Sequence, residues 1–465
     1  MVNIISRISD FSVRIHRVMR IRLLVPALML VASGCNSILD TSPKDTIPEA
    51  TAISDAPSAR AALAGMYTSL QSLSSYGEEL VEFGDLSADN ADNTGTYTSY
   101  LEADLNHLRS NNATIFDIWT SAYDGINRAN EIITKVPAVP GLDDTEKNEI
   151  IGEAYFIRAL DYHNLVKLFG AVPIKLTPTS SVSDVGNATR AAVPDVYTQI
   201  LKDLDSASVL ITNTEPATQA TIGAVAALRA RVLLYKGDYP GAQTAAEAVE
   251  GMSFTLASNY GDLFPESGPG PSEDIFEVTA TLTQENFLSY DYLNVYELGP
   301  SLDLMHAYDP AFLPATSAIE DFNPTDTRGQ WNILVEDGTV FGNKFRSIVG
   351  TDYVPVIRLA EVILINAEAL ARQNQLGPAV TELQRIQTRA NAPLFVLGTH
   401  TQQQVIDAIV AERRKELAFE GDRWPDLVRL GTAATVLGID PNQTLYPIPA
   451  REIAVSPTLT QNPGY

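Results

Sequence analysis

The sequence predicts a mainly all-α fold, in which four tetratricopeptide-like helix pairs form a right-handed superhelical scaffold with long loop-rich inserts and a few short strands. Three observations lead to this prediction. Two segments repeat one pattern of small residues, further segments follow a helical hydrophobic period, and strand signals are sparse. With 465 residues, 45% of them hydrophobic, the chain can bury a large core.

The clearest repeat is between residues 222–251 and 361–390. Each segment places Leu and Val at helical spacing on one side, a turn in the middle, and small residues where two helices would touch. Because alanine lets helix backbones approach closely, the pattern predicts two helix pairs. The small residues stand twelve positions apart in both copies, at Ala230 and Ala242 and at Ala367 and Ala379.

Two further amphipathic pairs complete the predicted scaffold, residues 57–74 with 115–136 and residues 145–169 with 194–211. Four units exceed the minimum of about three that a stacked repeat array needs. Alternating runs predict short hairpin arms near residues 275–281 and 341–349.

Two long inserts interrupt the helices. Residues 75–114 are rich in Asn, Asp, Ser, Thr and Tyr, and residues 252–355 hold many of the prolines and aromatic residues. Long irregular segments on a rigid scaffold are common places for binding surfaces. The inserts therefore favour a binding function.

The N-terminus predicts export. Five arginines between Arg7 and Arg22 stand against one acid, Asp10, and an apolar run at residues 23–31 follows. The run is shorter than the about 20 residues of a membrane-spanning helix, and small residues close it. We expect residues 1–34 to be a signal peptide.

Cys35 is the only cysteine in the chain, which excludes disulfides within it and two-cysteine metal sites. It directly follows Ala-Ser-Gly, an order that resembles a bacterial lipobox. We expect Cys35 to be lipidated and residues 35–56 to form a tether, because several acyl chains anchor a protein stably. The alternative is an incidental small hydrophobic residue beside an ordinary cleavage site.

The chain is strongly acidic. Asp and Glu number 57 against 32 Lys and Arg, which gives a formal net charge of -25. This balance argues against nucleic acid as a partner, since such binding needs cationic neutralisation of phosphates. It also means that membrane attachment requires something other than a basic patch.

Several stretches resemble the SusD/RagB family of nutrient-binding outer-membrane lipoproteins, and the resemblance runs from Cys35 to Tyr465. The opening CNSILDTSPKDTI is one of them. The other matching segments are Glu153 to Ile174, Arg358 to Arg372, Glu412 to Gly431 and Tyr446 to Tyr465. The last two of these are the most distinctive.

The resemblance implies a single domain at residues 57–465, with the scaffold at about 57–250 and 354–432 and a ligand-binding insert at about 252–353. Residues 433–465 form a C-terminal segment. It also implies a lipid-anchored protein on the exterior of the outer membrane. Such a protein would bind an oligosaccharide or polysaccharide and deliver it, as a hinged lid, to a SusC-like TonB-dependent transporter, without catalysis or a cofactor.

A glycan site needs exposed aromatic faces beside amide and carboxylate groups. The first insert offers Tyr97 and Tyr100 after a polar run, and the second offers Trp331 and three alternating tyrosines that would share one face of an extended segment. Packing of the insert onto the scaffold is the competing interpretation for each. The polar run is Asp89, Asn90, Asp92 and Asn93, and the alternating tyrosines are Tyr290, Tyr292 and Tyr296.

No catalytic or metal site is predicted. The run from Asn90 to Gly95 faintly resembles a calcium loop, but its twelfth position is Leu101 where a Glu is needed. Charges around Trp424 are predicted to be structural, held in intrahelical ion pairs. They are Arg413, Arg414, Glu416, Glu420, Arg423 and Asp426.

Three alternatives stay open at this point. The inserts could take a peptide rather than a glycan, or the chain could be a lipid-anchored helical scaffold for protein–protein assembly. A surface glycoside hydrolase is the third, because paired carboxylates brought together by folding leave no sequence signature.

Overall fold

The computed structural model describes residues 52–179, 188–293 and 297–465. Helices dominate this part of the chain. Those of the N-terminal half are α1 (Ala56–Leu70), α2 (Glu79–Leu86), α3 (Thr98–Asp104), α4 (Ala113–Lys135), α5 (Asp144–Phe169), α6 (Val193–Leu210), α7 (Ile222–Lys236) and α8 (Tyr239–Glu250). A single π-helical turn, Leu73–Gly77, separates α1 from α2.

Short helices and longer ones alternate in the second half. They are α9 (Leu288–Tyr292), α10 (Leu302–Tyr308), α11 (Thr327–Asn332), α12 (Leu359–Arg372), α13 (Leu376–Arg389), α14 (Gln402–Glu416), α15 (Arg423–Arg429), α16 (Ala433–Leu437) and α17 (Ala450–Val455). The strands are β1 (Ala91–Asn93), β2 (Asp274–Val278), β3 (Leu298–Pro300), β4 (Ile333–Glu336), β5 (Thr339–Gly342) and β6 (Val354–Arg358).

The four predicted helix pairs are confirmed. Helix α1 packs on α4, α5 on α6, α7 on α8, and α12 on α13. Successive pairs are joined by contacts of α4 with α5, α6 with α7, and α8 with α12. The four alanines that the repeat places at helix contacts, Ala230, Ala242, Ala367 and Ala379, are all fully buried.

Local sequence explains where the third pair turns. The hydroxyl of Thr221 accepts a hydrogen bond from the amide of Ala224 and so caps the first turn of α7. Gly237 ends the helix with a φ of 80°, a left-handed conformation that favours glycine. Asp238 then caps α8 through the amide of Gly241.

The strands form three two-stranded antiparallel sheets among the described residues: β1 with β3, β2 with β6, and β4 with β5. The predicted arm at residues 275–281 is largely β2, but its partner is the distant β6. The prediction for residues 341–349 is wrong beyond Gly342, where β5 ends. Here β5 forms a hairpin with the preceding β4.

The charged cluster around Trp424 is structural, as predicted, but its ion pairs join different elements rather than turns of one helix. Arg413 of α14 donates to Asp426 of α15 over 2.9 Å, and Arg423 donates to Asp89 over 2.6 Å. Trp424 is fully buried and stacks on Tyr446, with ring centroids 5.8 Å apart. The cluster therefore fastens the C-terminal helices to the first insert and the scaffold.

Within the described ranges, no helix combines the length and apolar character that crossing a membrane requires.

Candidate ligand-binding site

The two inserts meet through backbone pairing. Strand β1 of the first insert pairs with β3 of the second, and Asp92 stands opposite Gly299. The hydroxyl of Ser301 donates to the carbonyl of Asp89 over 2.6 Å. On the other side, the amide of Phe287 donates to the carbonyl of Gly77 over 2.9 Å. These contacts hold the two inserts side by side, so that their facing surfaces form two walls.

A cleft of about 550 Å³ lies between these walls. Tyr97 from the first insert and Tyr290 from the second both line it, and each is 61% exposed. Phe287 packs edge to face on Tyr290, with centroids 6.1 Å apart, and Tyr100 supports Tyr97 at 6.2 Å. Two tyrosine faces from different inserts are therefore available to a ligand in one cleft.

Acidic side chains form much of the remaining cleft lining. Its lining includes Glu78, Glu79, Asp117, Asp291 and Glu297. Deeper in the protein, the fully buried Glu82 joins two of them. Glu78, Glu82 and Asp291 each bring a carboxylate oxygen within 4.8 Å of the other two. We call these three residues the carboxylate trio.

Tyr100 bridges two members of the carboxylate trio. Its hydroxyl lies 2.7 Å from Oε2 of Glu82 and 3.1 Å from Oε1 of Glu78, whereas Oε1 of Glu82 is buried without a hydrogen-bond partner. In the described part of the chain, no Lys or Arg forms a salt bridge with the trio. Three carboxylates in such a place can share protons or hold a small cation.

Burial raises the pKa of these acids. Loss of solvent, followed by repulsion from Asp291, raises the pKa of Glu78 to about 8. Burial also raises the pKa of Glu79 to about 7 and that of Asp291 to about 6. The pKa of Glu82 lies well above its ordinary value for the same reason. Protonation therefore relieves part of the repulsion in the cleft floor.

Replacing Glu78 by Gln should stabilise the protein at alkaline pH. Because the folded pKa of about 8 exceeds the ordinary value of 4.5, the wild type loses stability relative to E78Q as pH rises through that window. Because Glu78 is partly exposed and water screens its charge, the gap is smaller than the full shift implies. We expect a gap of about 2 kcal/mol at high pH and almost none at acid pH. Urea unfolding of both proteins across this range measures it.

The exposed Glu336→Gln variant on the β4–β5 hairpin is the control, and it should follow the wild type at every pH. An E78Q curve parallel to that of the wild type would contradict the raised pKa.

The structure places Asp89 and Asn90 in internal contacts instead of on the cleft. Asp89 accepts from Arg423 over 2.6 Å and 2.9 Å. Asn90 is fully buried, donates to Asp85 over 2.8 Å and accepts from Arg414 over 2.9 Å. These two side chains anchor the first insert and are not offered to a ligand.

The sequence predicted that Tyr290 and Tyr292 share one face of an extended segment. This prediction is wrong. Residues Leu288–Tyr292 form helix α9, and residues two positions apart on a helix point in nearly opposite directions. Tyr292 is therefore 1% exposed and packs on Phe419 at 4.7 Å, although Tyr290 faces the cleft. Tyr296 lies outside the described residues, as does Cys35.

Trp331 lies away from the cleft. It packs partly buried against a small cluster of Tyr260, Leu263 and Phe264, and the guanidinium of Arg346 lies 4.0 Å from its ring centroid. One face of its ring is thereby covered by a cation rather than left open to a sugar.

Sequence reasoning missed the acidic half of the cleft. Glu78, Glu79 and Glu82 were visible as a local cluster, and Glu78 and Glu82 have the four-residue spacing that shares a helix face. Asp291 and Phe287 carry no such signal, because only the fold brings the second insert beside these acids.

Two family models match the chain. One is described as starch-binding and associating with the outer membrane and matches residues 38–234, and the other, the SusD family, matches residues 342–442. Together they span more than half of the sequence. Among relatives, a SusD-like protein of Formosa agariphila is 25% identical over 492 residues, which cover 94% of this chain and 96% of that protein.

Solved structures agree with these matches. A SusD superfamily protein from Bacteroides vulgatus is similar with a TM-score of 0.77 at 20% identity, over 88% of this chain and 99% of that one. A laminarin-binding SusD-like protein gives a TM-score of 0.74 at 25% identity, over 89% and 100% of the two chains. By sequence and by fold, the chain belongs to the SusD/RagB family.

Proposed function

We propose that this protein captures an oligosaccharide or polysaccharide in the cleft between its two inserts and performs no chemistry on it. The observation that carries the proposal is the pair Tyr97 and Tyr290, which come from separate inserts and expose their rings in one cleft. The starch-binding description of the matching family model and the laminarin-binding relative support a glycan as the ligand.

The chemistry of the cleft suits a sugar. The C–H faces of a pyranose ring pack on aromatic faces, and its hydroxyls donate to carboxylates. Tyr97 and Tyr290 provide the first kind of surface, and Glu79 and Asp117 provide acceptors beside them.

Replacing both Tyr97 and Tyr290 by Ala should weaken glycan binding about tenfold or more, since each aromatic contact is worth about 0.5–1.5 kcal/mol beyond its buried area. Affinity electrophoresis in gels that contain laminarin or starch measures the retention. Tyr465→Ala is the control, because Tyr465 is also exposed but does not line the cleft. Equal retention of the double variant and the wild type would remove the cleft as the glycan site.

We further propose that lipidated Cys35 holds the protein on the exterior of the outer membrane, where it delivers glycan as a hinged lid to a SusC-like TonB-dependent transporter. The lipobox-like order before Cys35 and the outer-membrane association in the family description support this. Co-purification of the transporter with the membrane-bound protein tests the partnership.

Replacing Cys35 by Ala should move the protein from the membrane fraction to the soluble fraction without unfolding it, because the acyl chains supply the attachment. Immunoblots of fractionated cells and circular dichroism of the released protein provide the measurements. Ser42→Ala, a few residues along the tether, should stay with the membrane. Membrane retention of C35A would contradict lipidation at this residue.

A glycoside hydrolase is the competing function, because carboxylates about 5 Å apart are typical of retaining enzymes. Glu82 is fully buried and Asp291 is 7% exposed, however, so Glu78 is the one member of the carboxylate trio that offers a partly exposed carboxylate to the cleft. Incubation of the purified protein with the polysaccharides it retains should release no reducing ends. Peptide capture and a ligand-free assembly role would each appear as absence of retention on any glycan.

A further inference from the structure

The cleft differs in charge from the buried ion-pair networks of this protein. In those networks, acids such as Glu416 and Glu368 are paired with arginines. The cleft lining contains five carboxylates and, among the described residues, no Lys or Arg.

Two arginines on segments next to the cleft lining already contact other side chains. Arg109 donates to Glu102 over 2.6 Å, and Arg451 lies 4.8 Å from the ring centroid of Phe116. Arg451 also lies near Asp117, yet burial outweighs it and keeps the pKa of that carboxyl above its ordinary value. Among the residues that the structure describes, no Lys or Arg of the cleft lining is therefore present to pair with a ligand anion.

This arrangement has opposite consequences for neutral and anionic sugars. A neutral sugar can donate hydroxyl hydrogens to Glu79 or Asp117 while its ring packs on Tyr97. A uronate or a sulfated sugar would lose solvent around its charge and face like charges at close range. Asp291, whose pKa is about 6, is largely ionised at neutral pH, whereas Glu78 and Glu79 are partly protonated there. The net charge of -25 adds a repulsion that salt screens.

We infer that the cleft selects glycans without carboxylate or sulfate groups and excludes polyuronates and sulfated polysaccharides. The inference rests on the proposed function, because it names the class of glycan that this same cleft takes. It follows from the combination of exposed tyrosine faces and an acidic lining without a counter-ion.

The first test is a panel of polysaccharides in affinity gels at low salt. Laminarin, starch and xyloglucan represent neutral polymers, and polygalacturonate, alginate and carrageenan represent anionic ones. Any polymer that retains the protein is then compared with its carboxymethylated derivative. We expect retention by neutral polymers alone and at least about a tenfold loss on carboxymethylation.

The outcomes separate the two proposals. Retention by an anionic polymer that the Tyr97→Ala/Tyr290→Ala variant abolishes would overturn the selectivity and leave glycan capture intact. Equal affinity for the neutral polymer and its carboxymethylated derivative would also overturn the selectivity and leave glycan capture intact. Retention by no polymer would overturn glycan capture itself, and this inference with it.

A charge-neutralising variant shows whether the cleft or the overall charge is responsible. The variant Glu79→Gln/Asp117→Asn/Glu297→Gln should narrow the difference between neutral and carboxymethylated polymer by about tenfold. The control Asp205→Asn/Glu266→Gln/Asp407→Asn removes three exposed carboxylates outside the cleft lining and should leave that difference unchanged. An equal narrowing in both variants would overturn the role of the cleft.

Discussion

Replacing Arg358 by Met is expected to destabilise the protein by about 4 kcal/mol, the typical cost of removing one partner from a buried ion pair. Arg358 ends β6, directly before α12, and is completely buried. Its guanidinium donates to Glu273 over 3.0 Å, to Glu416 over 2.9 Å and to Glu420 over 2.7 Å. The change removes the cation that these three carboxylates share.

The remaining cations limit the loss of stability in the Arg358→Met variant but do not cancel it. Arg389 still pairs with Glu273 and Glu416, and Lys344 still pairs with Glu420 over 2.6 Å. Because Arg358 and Lys344 lower the pKa of Glu420, the stability that Arg358 supplies is present above the ordinary value of 4.5 and decreases as pH falls below it. The difference between the two proteins should therefore shrink in acid.

Urea unfolding at neutral pH and at about pH 4 measures both effects. Arg60→Met is the matched control, since Arg60 forms its ion pair with Glu146 at the surface, where the side chains are 55% and 35% exposed. Such a pair is worth less than about 1 kcal/mol. If R358M unfolded at the same urea concentration as R60M, the buried network would not be a source of stability.

The helix pairs were predictable because their signals are local. Ala367 and Ala379 mark the contact between α12 and α13, and the hydrophobic period on each side of the turn is complete within one segment. The pairing of β2 with β6 was not predictable in this way, because its two strands are separated by most of the second insert. Arg358 likewise gave no signal of its partners.

The site was predictable in part. Exposed aromatics on long inserts pointed to Tyr97 and Tyr290, and the structure brings these two together. The prediction from the sequence is wrong at Tyr292, because a spacing of two residues indicates an extended segment and the chain forms helix α9 there. The sequence also predicted Asn90 as a ligand-binding residue, but a polar residue in a polar run can still be buried by partners such as Arg414 from α14.

Replacing Gly84 by Ala should destabilise the protein by about 3 kcal/mol, at the upper end of the range for an overpacked site. Gly84 lies inside α2, and a Cβ there would stand 2.2 Å from the carbonyl oxygen of Gly421. Gly421 has a φ of 77° and packs against the backbone of Val81. Neither backbone can move without disturbing the other.

Hydrogen bonds to Asp85 make the contact between Gly84 and Gly421 more costly to displace. Its carboxylate accepts from the amide of Gly421 over 3.1 Å and from that of Phe419 over 3.3 Å, and it is fully buried. Any shift of the turn at Gly421 lengthens these bonds and leaves the buried carboxylate of Asp85 with fewer donors, although Asn90 still donates to it. Because α2 also carries Glu79 and Glu82, the same shift should weaken glycan retention.

Gly65→Ala provides the matched control within a helix. A Cβ at Gly65 in α1 would find its nearest atom, the end of the Arg128 side chain, at an ordinary 3.5 Å, so the change should be neutral or stabilise by up to about 1 kcal/mol. The thermal unfolding temperature of G84A should thus fall below that of the wild type, whereas that of G65A should equal or exceed it. A G84A protein as stable as G65A would show that α2 and the turn at Gly421 are not in close contact, and the acids on α2 would then lack the rigid support that holds them beside Tyr290.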